Sequence, residues 1–174
     1  MQTNWYMLTL IGEDKPGLVA AITKSLFEFG LNLGETSMLR LGGNFTVMMM
    51  VSGEHPEREL RERLKPVIEA HGMCLNIDPI EAHLHEHIVP NIQVTVTGAD
   101  RAGIVAQVTA ALADQGFNIL DLESDVAGTE EKPVYIMQIA GVAGVSVEAI
   151  ERALEPLRED GVDVNVCPIE TYIG

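Results

Sequence analysis

The stretch Gly12-Glu13-Asp14-Lys15-Pro16-Gly17-Leu18-Val19-Ala20 recurs 86 positions later as Gly98-Ala99-Asp100-Arg101-Ala102-Gly103-Ile104-Val105-Ala106. Aligned without a gap, Gly12–Leu33 and Gly98–Ile119 share nine of twenty-two residues: Gly12/Gly98, Asp14/Asp100, Gly17/Gly103, Val19/Val105, Ala20/Ala106, Thr23/Thr109, Leu26/Leu112, Gly30/Gly116 and Asn32/Asn118. Ordinary residue usage gives roughly one or two matches by chance. A chain of 174 residues that repeats itself in this way is constrained to two units of one plan. The expected division is residues 3–81, a link over 82–90, and residues 91–172.

Within the first unit, Tyr6–Ile11 reads as a strand that stops at Gly12. Apolar residues at Leu18, Val19, Ile22, Leu26 and Phe29 follow at helical spacing, so a helix is expected from about Pro16 to Phe29, with Gly30 as its stop. Pro16 suits the first helical position and Asp14 is a candidate cap. Asn32–Leu41, the turn Gly42-Gly43 and Asn44–Ser52 read as a hairpin, Pro56–His71 as a second helix, and Met73–Ile80 as a closing strand. Pro66 is expected to kink or split its helix. The second unit repeats this order with strands Ile92–Thr97, Asn118–Val126, Val134–Ala140 and Val162–Ile169 and helices Ala102–Gln115 and Ser146–Asp160. One difference is the acidic stretch Ala127–Pro133, containing Glu130 and Glu131, which replaces Gly42-Gly43 and reads as a longer, mobile loop.

The order β-α-β-β-α-β predicts an α+β protein: two ferredoxin-like units in tandem, each with both helices on one face of a four-stranded antiparallel sheet. The other face would be open and apolar, to be covered by the second unit or by a second copy. A homodimer is therefore expected.

Chemistry is most readily placed at the repeated turn. A helix starting near Gly17 leaves unpaired N–H groups that attract a carboxylate, Gly17 admits a ligand close to the backbone, and Asp14 could face an ammonium group. Asn32 could add an amide to the same cleft. The alternative is that Asp14 caps the helix, Gly17 packs closely and Asn32 takes the left-handed conformation after Gly30.

Gly-x-Asp-x-Pro-Gly-Leu-Val followed by Gly-x-Asn-Leu, in a β-α-β-β-α-β frame, resembles an ACT domain, the small ligand-sensing module of amino-acid metabolism. Two such units resemble the glycine cleavage system transcriptional repressor family, from about Tyr6 to Glu170. The resemblance implies that an amino acid, glycine or serine first, sits where the strand-to-helix turn meets the edge of a neighbouring domain. Carried over, it implicates Gly12, Asp14, Gly17 and Asn32, and Gly98, Asp100, Gly103 and Asn118. Ala102 stands where the motif has proline, which makes the second copy the weaker candidate. The resemblance also implies action through a DNA-binding protein partner. Related ACT units precede the hydrolase domain of formyltetrahydrofolate deformylase, which has no counterpart here, so no catalysis and no cofactor are expected. A pair of units that keeps the fold without the ligand, serving as an interaction module, is the alternative.

The formal net charge of −15 agrees with a protein partner. Nucleic-acid affinity is supplied largely by Lys and Arg, both halves are acidic and there is no basic helix, so direct DNA or RNA binding is not expected. No apolar run reaches the ~18 residues of a membrane span. The N-terminus lacks signal-peptide features, and Cys74 and Cys167 are too few for a disulfide framework. A cytoplasmic protein is the resulting expectation. His83, His85 and His87 alternate in the link and could bind Zn²⁺ or Ni²⁺, although a solvated linker is the preferred reading. Cys74 and Cys167 read as buried strand residues, Met48-Met49-Met50 as strand filler, and Glu57–Glu69 as a solvated helix face. Gly12-x-Asp-x-x-Gly17 lacks the Lys-Ser/Thr pair of a phosphate loop.

Overall fold

The computed structural model describes residues 3–81, 88–99, 102–129, 132–159 and 161–169. The chain forms two compact units, Met1–His85 and Glu86–Gly174. The first contains β1 (Asn4–Glu13), α1 (Leu18–Glu28), β2 (Asn32–Leu41), β3 (Asn44–Gly53), α2 (Glu57–His71) and β4 (Cys74–Ile80). Its sheet has the order β2-β3-β1-β4, antiparallel throughout. The second contains β5 (Ile92–Ala99), α3 (Ile104–Asp114), β6 (Asn118–Thr129), β7 (Lys132–Val142), α4 (Val147–Glu159) and β8 (Asp163–Pro168), with the matching order β6-β7-β5-β8. Each unit is the expected ferredoxin-like α+β fold.

Period-two patterning decides which face of each sheet takes the helices. In β1 the buried residues Tyr6, Leu8 and Leu10 share a core with Ile22 and Leu26 of α1 and Leu60 and Leu64 of α2. Val94 and Val96 of β5 meet Val108, Leu112, Ile150 and Leu154 in the same way. The opposite faces differ between the units. In the first, the alternate positions carry Trp5, Met7, Thr9 and Ile11 of β1, Met48 and Met50 of β3, and Asn76 and Asp78 of β4, with Ile11 and Met48 nearly half exposed. In the second, register places Thr95 between Gln138 and Asn165, and Thr97 beside Asp163. The open face of the first unit is therefore apolar along β1 and β3 and polar at Thr9, Asn76 and Asp78, whereas that of the second is largely polar.

Four local expectations are corrected. Pro66 does not split its helix, which continues through it, as α4 continues through Pro156. Both prolines are exposed, so the carbonyl each leaves without a donor, four residues earlier, lies on the solvent side of its helix, where water can satisfy it. The 127–133 stretch extends its hairpin, because Gly128 pairs with Pro133 and Thr129 with Lys132; Glu130 and Glu131 lie outside the described residues. β1 runs through Gly12, which pairs with Phe45. Cys74 is exposed and Cys167 half-buried: both sit on the sheet face opposite the helices, Cys74 beside Ile11 and Cys167 beside Gln93.

Candidate functional site at the strand-to-helix turn

The turn after β1 is built by a proline and a glycine with separate tasks. The N–H of Leu18 reaches the carbonyl oxygen of Lys15 at 3.5 Å, closing a four-residue turn with Pro16 and Gly17 at its centre. Gly17 has φ 88° and ψ −6°, the values of the third residue of a type II turn, a position that requires positive φ and hence favours glycine. Pro16 is the second residue of that turn, not the first residue of the helix, which begins at Leu18. A Cβ on Gly17 would meet nothing within 4 Å, so conformation alone demands glycine there. Gly103 adopts the same geometry, φ 90° and ψ −5°, before α3. Gly12 is different: a Cβ on it would lie 2.8 Å from Cγ of Met73, which makes it a packing glycine, while one on Gly98 would make only ordinary contact with Val162.

No side chain caps α1, so the expectation of Asp14 as N-cap is corrected. Its N–H donates to the carbonyl oxygen of Gly43 at 3.1 Å, and its carboxylate forms an ion pair with Arg40 of β2. The Asp14 side chain is 29% exposed and that of Arg40 70%. Beside them, Lys15 Nζ lies 2.8 Å from the Glu13 carboxylate, and this hydrogen bond and charge hold the Glu13 carboxyl below its ordinary value. Among the described residues the N–H groups of Val19 and Ala20, in the first turn of α1, meet no acceptor.

These groups border a cleft of about 380 Å³, walled by Asp14, Lys15 and Gly17 from the turn, the first residues of α1, Met38 and Arg40 from β2, and Phe45 from β3. That volume is at the lower end of the range for small-molecule sites, about 300–1,000 Å³. Among the apolar walls stand two cations, Arg40 and the Glu13-paired Lys15, one carboxylate and the N–H groups of Val19 and Ala20, an arrangement able to receive a small zwitterion. A larger cleft of about 460 Å³ at the other end of β1 is walled by Asn4, Trp5, Tyr6, Glu57 and Ile80 among others. Both of its charged lining residues, Glu57 and Glu81, are acids.

Asn32 does not join Asp14 within the unit. It pairs with Ser52, and Ser52 with Trp5, whereas Arg40 pairs with Phe45, and Phe45 with Gly12. Trp5 and Gly12 are seven residues apart on β1, roughly 23 Å at about 3.3 Å per residue. Nor is Asn32 left-handed: among the described residues every positive φ belongs to glycine. Asn118, paired with Val142, is equally far from Gly98, paired with Tyr135. Asp100 lies outside the described residues, as do His83, His85 and His87. Among the described residues no three His, Cys, Asp or Glu side chains gather as a metal site, and no helix is long and apolar enough to cross a membrane. Sequence reasoning missed Arg40. The signal was available in the hairpin register, since a turn at Gly42-Gly43 sets Arg40 opposite Phe45.

A family model described as the ACT domain matches this chain twice, over residues 6–78 and 91–166. The chain belongs to the ACT-domain family. Its ACT units are related in sequence to the glycine cleavage system transcriptional repressor of Escherichia coli (strain K12), 26% identical over 159 residues that span 88% of this chain and 84% of that protein. A UPF0237 protein of Streptococcus pneumoniae serotype 4 is 35% identical over 71 residues, 41% of this chain and 78% of that one. Among solved structures, the tandem ACT fold is shared with an unknown protein from Galdieria sulphuraria, with a TM-score of 0.77, 23% identity and coverage of 97% of this chain and 100% of that one. It is shared also with a proposed glycine cleavage system transcriptional repressor, with a TM-score of 0.72, 19% identity and coverage of 98% and 100%.

Proposed function

We propose that this ACT-domain chain is a non-enzymatic regulator that binds a small free amino acid, glycine or serine, at the turn of its first unit and passes its occupancy to a protein partner. The observation that carries this reading is the cleft in which Asp14, Arg40 and the free N–H groups of Val19 and Ala20 stand around apolar walls. An ammonium group is complementary to Asp14, and a carboxylate to Arg40 and the helix start. The relationship to the E. coli repressor supports a role in controlling glycine cleavage. A net charge of −15 disfavours direct contact with nucleic acid, whose phosphates demand cations, and supports action on a DNA-binding protein in the cytoplasm.

The mechanism is a population shift: an amino acid that binds one arrangement more tightly than another biases it by the difference in affinity. The apolar open face of the first unit supports a homodimer in which a second copy covers Trp5, Met7 and Ile11. Gly17 and Asp14 are the residues proposed to hold the ligand. In the second unit, Gly103 keeps the turn and Asp100 is the counterpart of Asp14. Isothermal titration with glycine and serine tests the reading, with Asp14→Ala as the variant that loses binding. Binding of neither amino acid by the native chain contradicts it. Affinity capture of a DNA-binding regulator in the presence and absence of the bound amino acid tests the second half, and equal capture under both conditions argues against signalling.

A further inference from the structure

Gly17 and Gly103 have the same backbone geometry, yet the strands opposite them do not carry the same charges. In the first unit Gly12 is opposite Phe45, and Phe45 is opposite Arg40. In the second, Gly98 is opposite Tyr135, and Tyr135 is opposite Val126. Val126 therefore stands in the place of Arg40, and it is 52% exposed. By the same register Ser124 replaces Met38. Arg40, one of the two cations lining the first cleft, has no counterpart at this register position in the second unit, a difference independent of the proline at Pro16 and alanine at Ala102.

We propose that Arg40 is the carboxylate receptor of this protein, and that the Asp14–Arg40 ion pair is what the ligand exchanges with on binding. The inference rests on the reading that the first cleft takes a free amino acid. The pair is neutral as a whole, and so is a zwitterion. In the exchange the ligand's ammonium group takes the place of the Arg40 guanidinium at Asp14, while its carboxylate takes the place of Asp14 at the guanidinium fork. Every charge present before has a partner afterwards. Breaking the pair costs little, because the Arg40 side of it is largely exposed and ion pairs at the surface are weakly held, and a guanidinium can then grip a carboxylate through two parallel N–H donors. A free amine or a free carboxylate lacks this balance, since either one would leave Asp14 or Arg40 unpaired. The cleft thus selects molecules that carry both groups, and Val126, at the place of Arg40 in the second unit, cannot perform the exchange.

The test uses the full chain with glycine, serine, acetate and methylamine as probes in calorimetric titrations. Native protein is expected to bind glycine or serine at one site per chain, and to bind acetate and methylamine at least about tenfold more weakly, the loss of one charge-assisted contact. Arg40→Val, which installs the residue of the second unit, should weaken amino-acid binding by about tenfold or more. Arg40→Lys, which keeps the charge and loses the planar fork, should fall between the two. Arg40 is largely exposed, so far-ultraviolet circular dichroism of Arg40→Val should match that of the native chain. If Arg40→Val binds glycine and serine as native protein does, or acetate binds as tightly as glycine, the role of Arg40 is overturned while amino-acid sensing stands. If native protein binds neither amino acid, both fail, and that result is obtained before any variant is made.

Discussion

Replacing Gly17 with alanine isolates the contribution of backbone conformation to the repeated turn. The added methyl group would meet no atom within 4 Å, so neither overpacking nor a lost contact enters. What remains is the cost of holding an L-residue at φ 88°, about 1–2 kcal/mol for the left-handed region. For a domain of 60–100 residues each kcal/mol moves the unfolding midpoint by roughly 4–8 °C, so the first unit should lose on the order of 4–16 °C. Gly103→Ala, at φ 90° with equally open surroundings, should impose the same penalty on the second unit. Differential scanning calorimetry reads the midpoints, and native-state hydrogen exchange assigns each loss to its unit, with Leu8 and Leu10 reporting on one core and Val94 and Val96 on the other. A midpoint that moves by less than about 2 °C would refute the type II assignment, because a residue free to leave positive φ pays no such cost.

Gly12→Ala should destabilise for the opposite reason: its Cβ would sit 2.8 Å from Cγ of Met73. Shortening that neighbour in the double variant Gly12→Ala/Met73→Ala should recover part of the loss, as a non-additive double-mutant cycle in urea denaturation. The Glu148 carboxyl, in the first turn of α4, is held below its ordinary value chiefly by a hydrogen bond from Ser146. A carboxyl with a depressed folded pKa stabilises the fold above its unfolded value and loses that contribution as pH falls through the folded one. Ser146→Ala should therefore raise the Glu148 titration midpoint toward that of a free glutamate in carbon-detected NMR, and an unchanged midpoint would remove Ser146 as the cause.

Much of the architecture could be read from residue order. The apolar spacing Leu18–Ile22–Leu26 announces α1, and Gly42-Gly43 between two β-rich segments announces the hairpin in its observed register. The strand-to-helix turn was harder, because a proline ahead of a helix looks alike whether it is the first helical residue or the second residue of a type II turn; the φ of Gly17 separates the two. Asn32 misled for a geometric reason. It follows the helix closely in sequence, but 11 helical residues carry the chain about 16 Å, back to the far end of the sheet. Pro133 was read as loop although it pairs with Gly128, since proline at the start of a strand is compatible with a ladder. Cys74 reads as buried from sequence and is exposed, because strand membership alone does not say which face a residue takes. Arg40 was overlooked because its partner Asp14 lies 26 positions away in sequence, and only the order β2-β3-β1 brings the two together.

The central claim is that the first cleft receives a free amino acid between Asp14 and Arg40. Isothermal titration of the native chain with glycine and with serine tests it most directly. The account predicts saturable binding of at least one of them at one site per chain, abolished by Asp14→Ala. Absence of binding by both, or binding that survives Asp14→Ala unchanged, would contradict it.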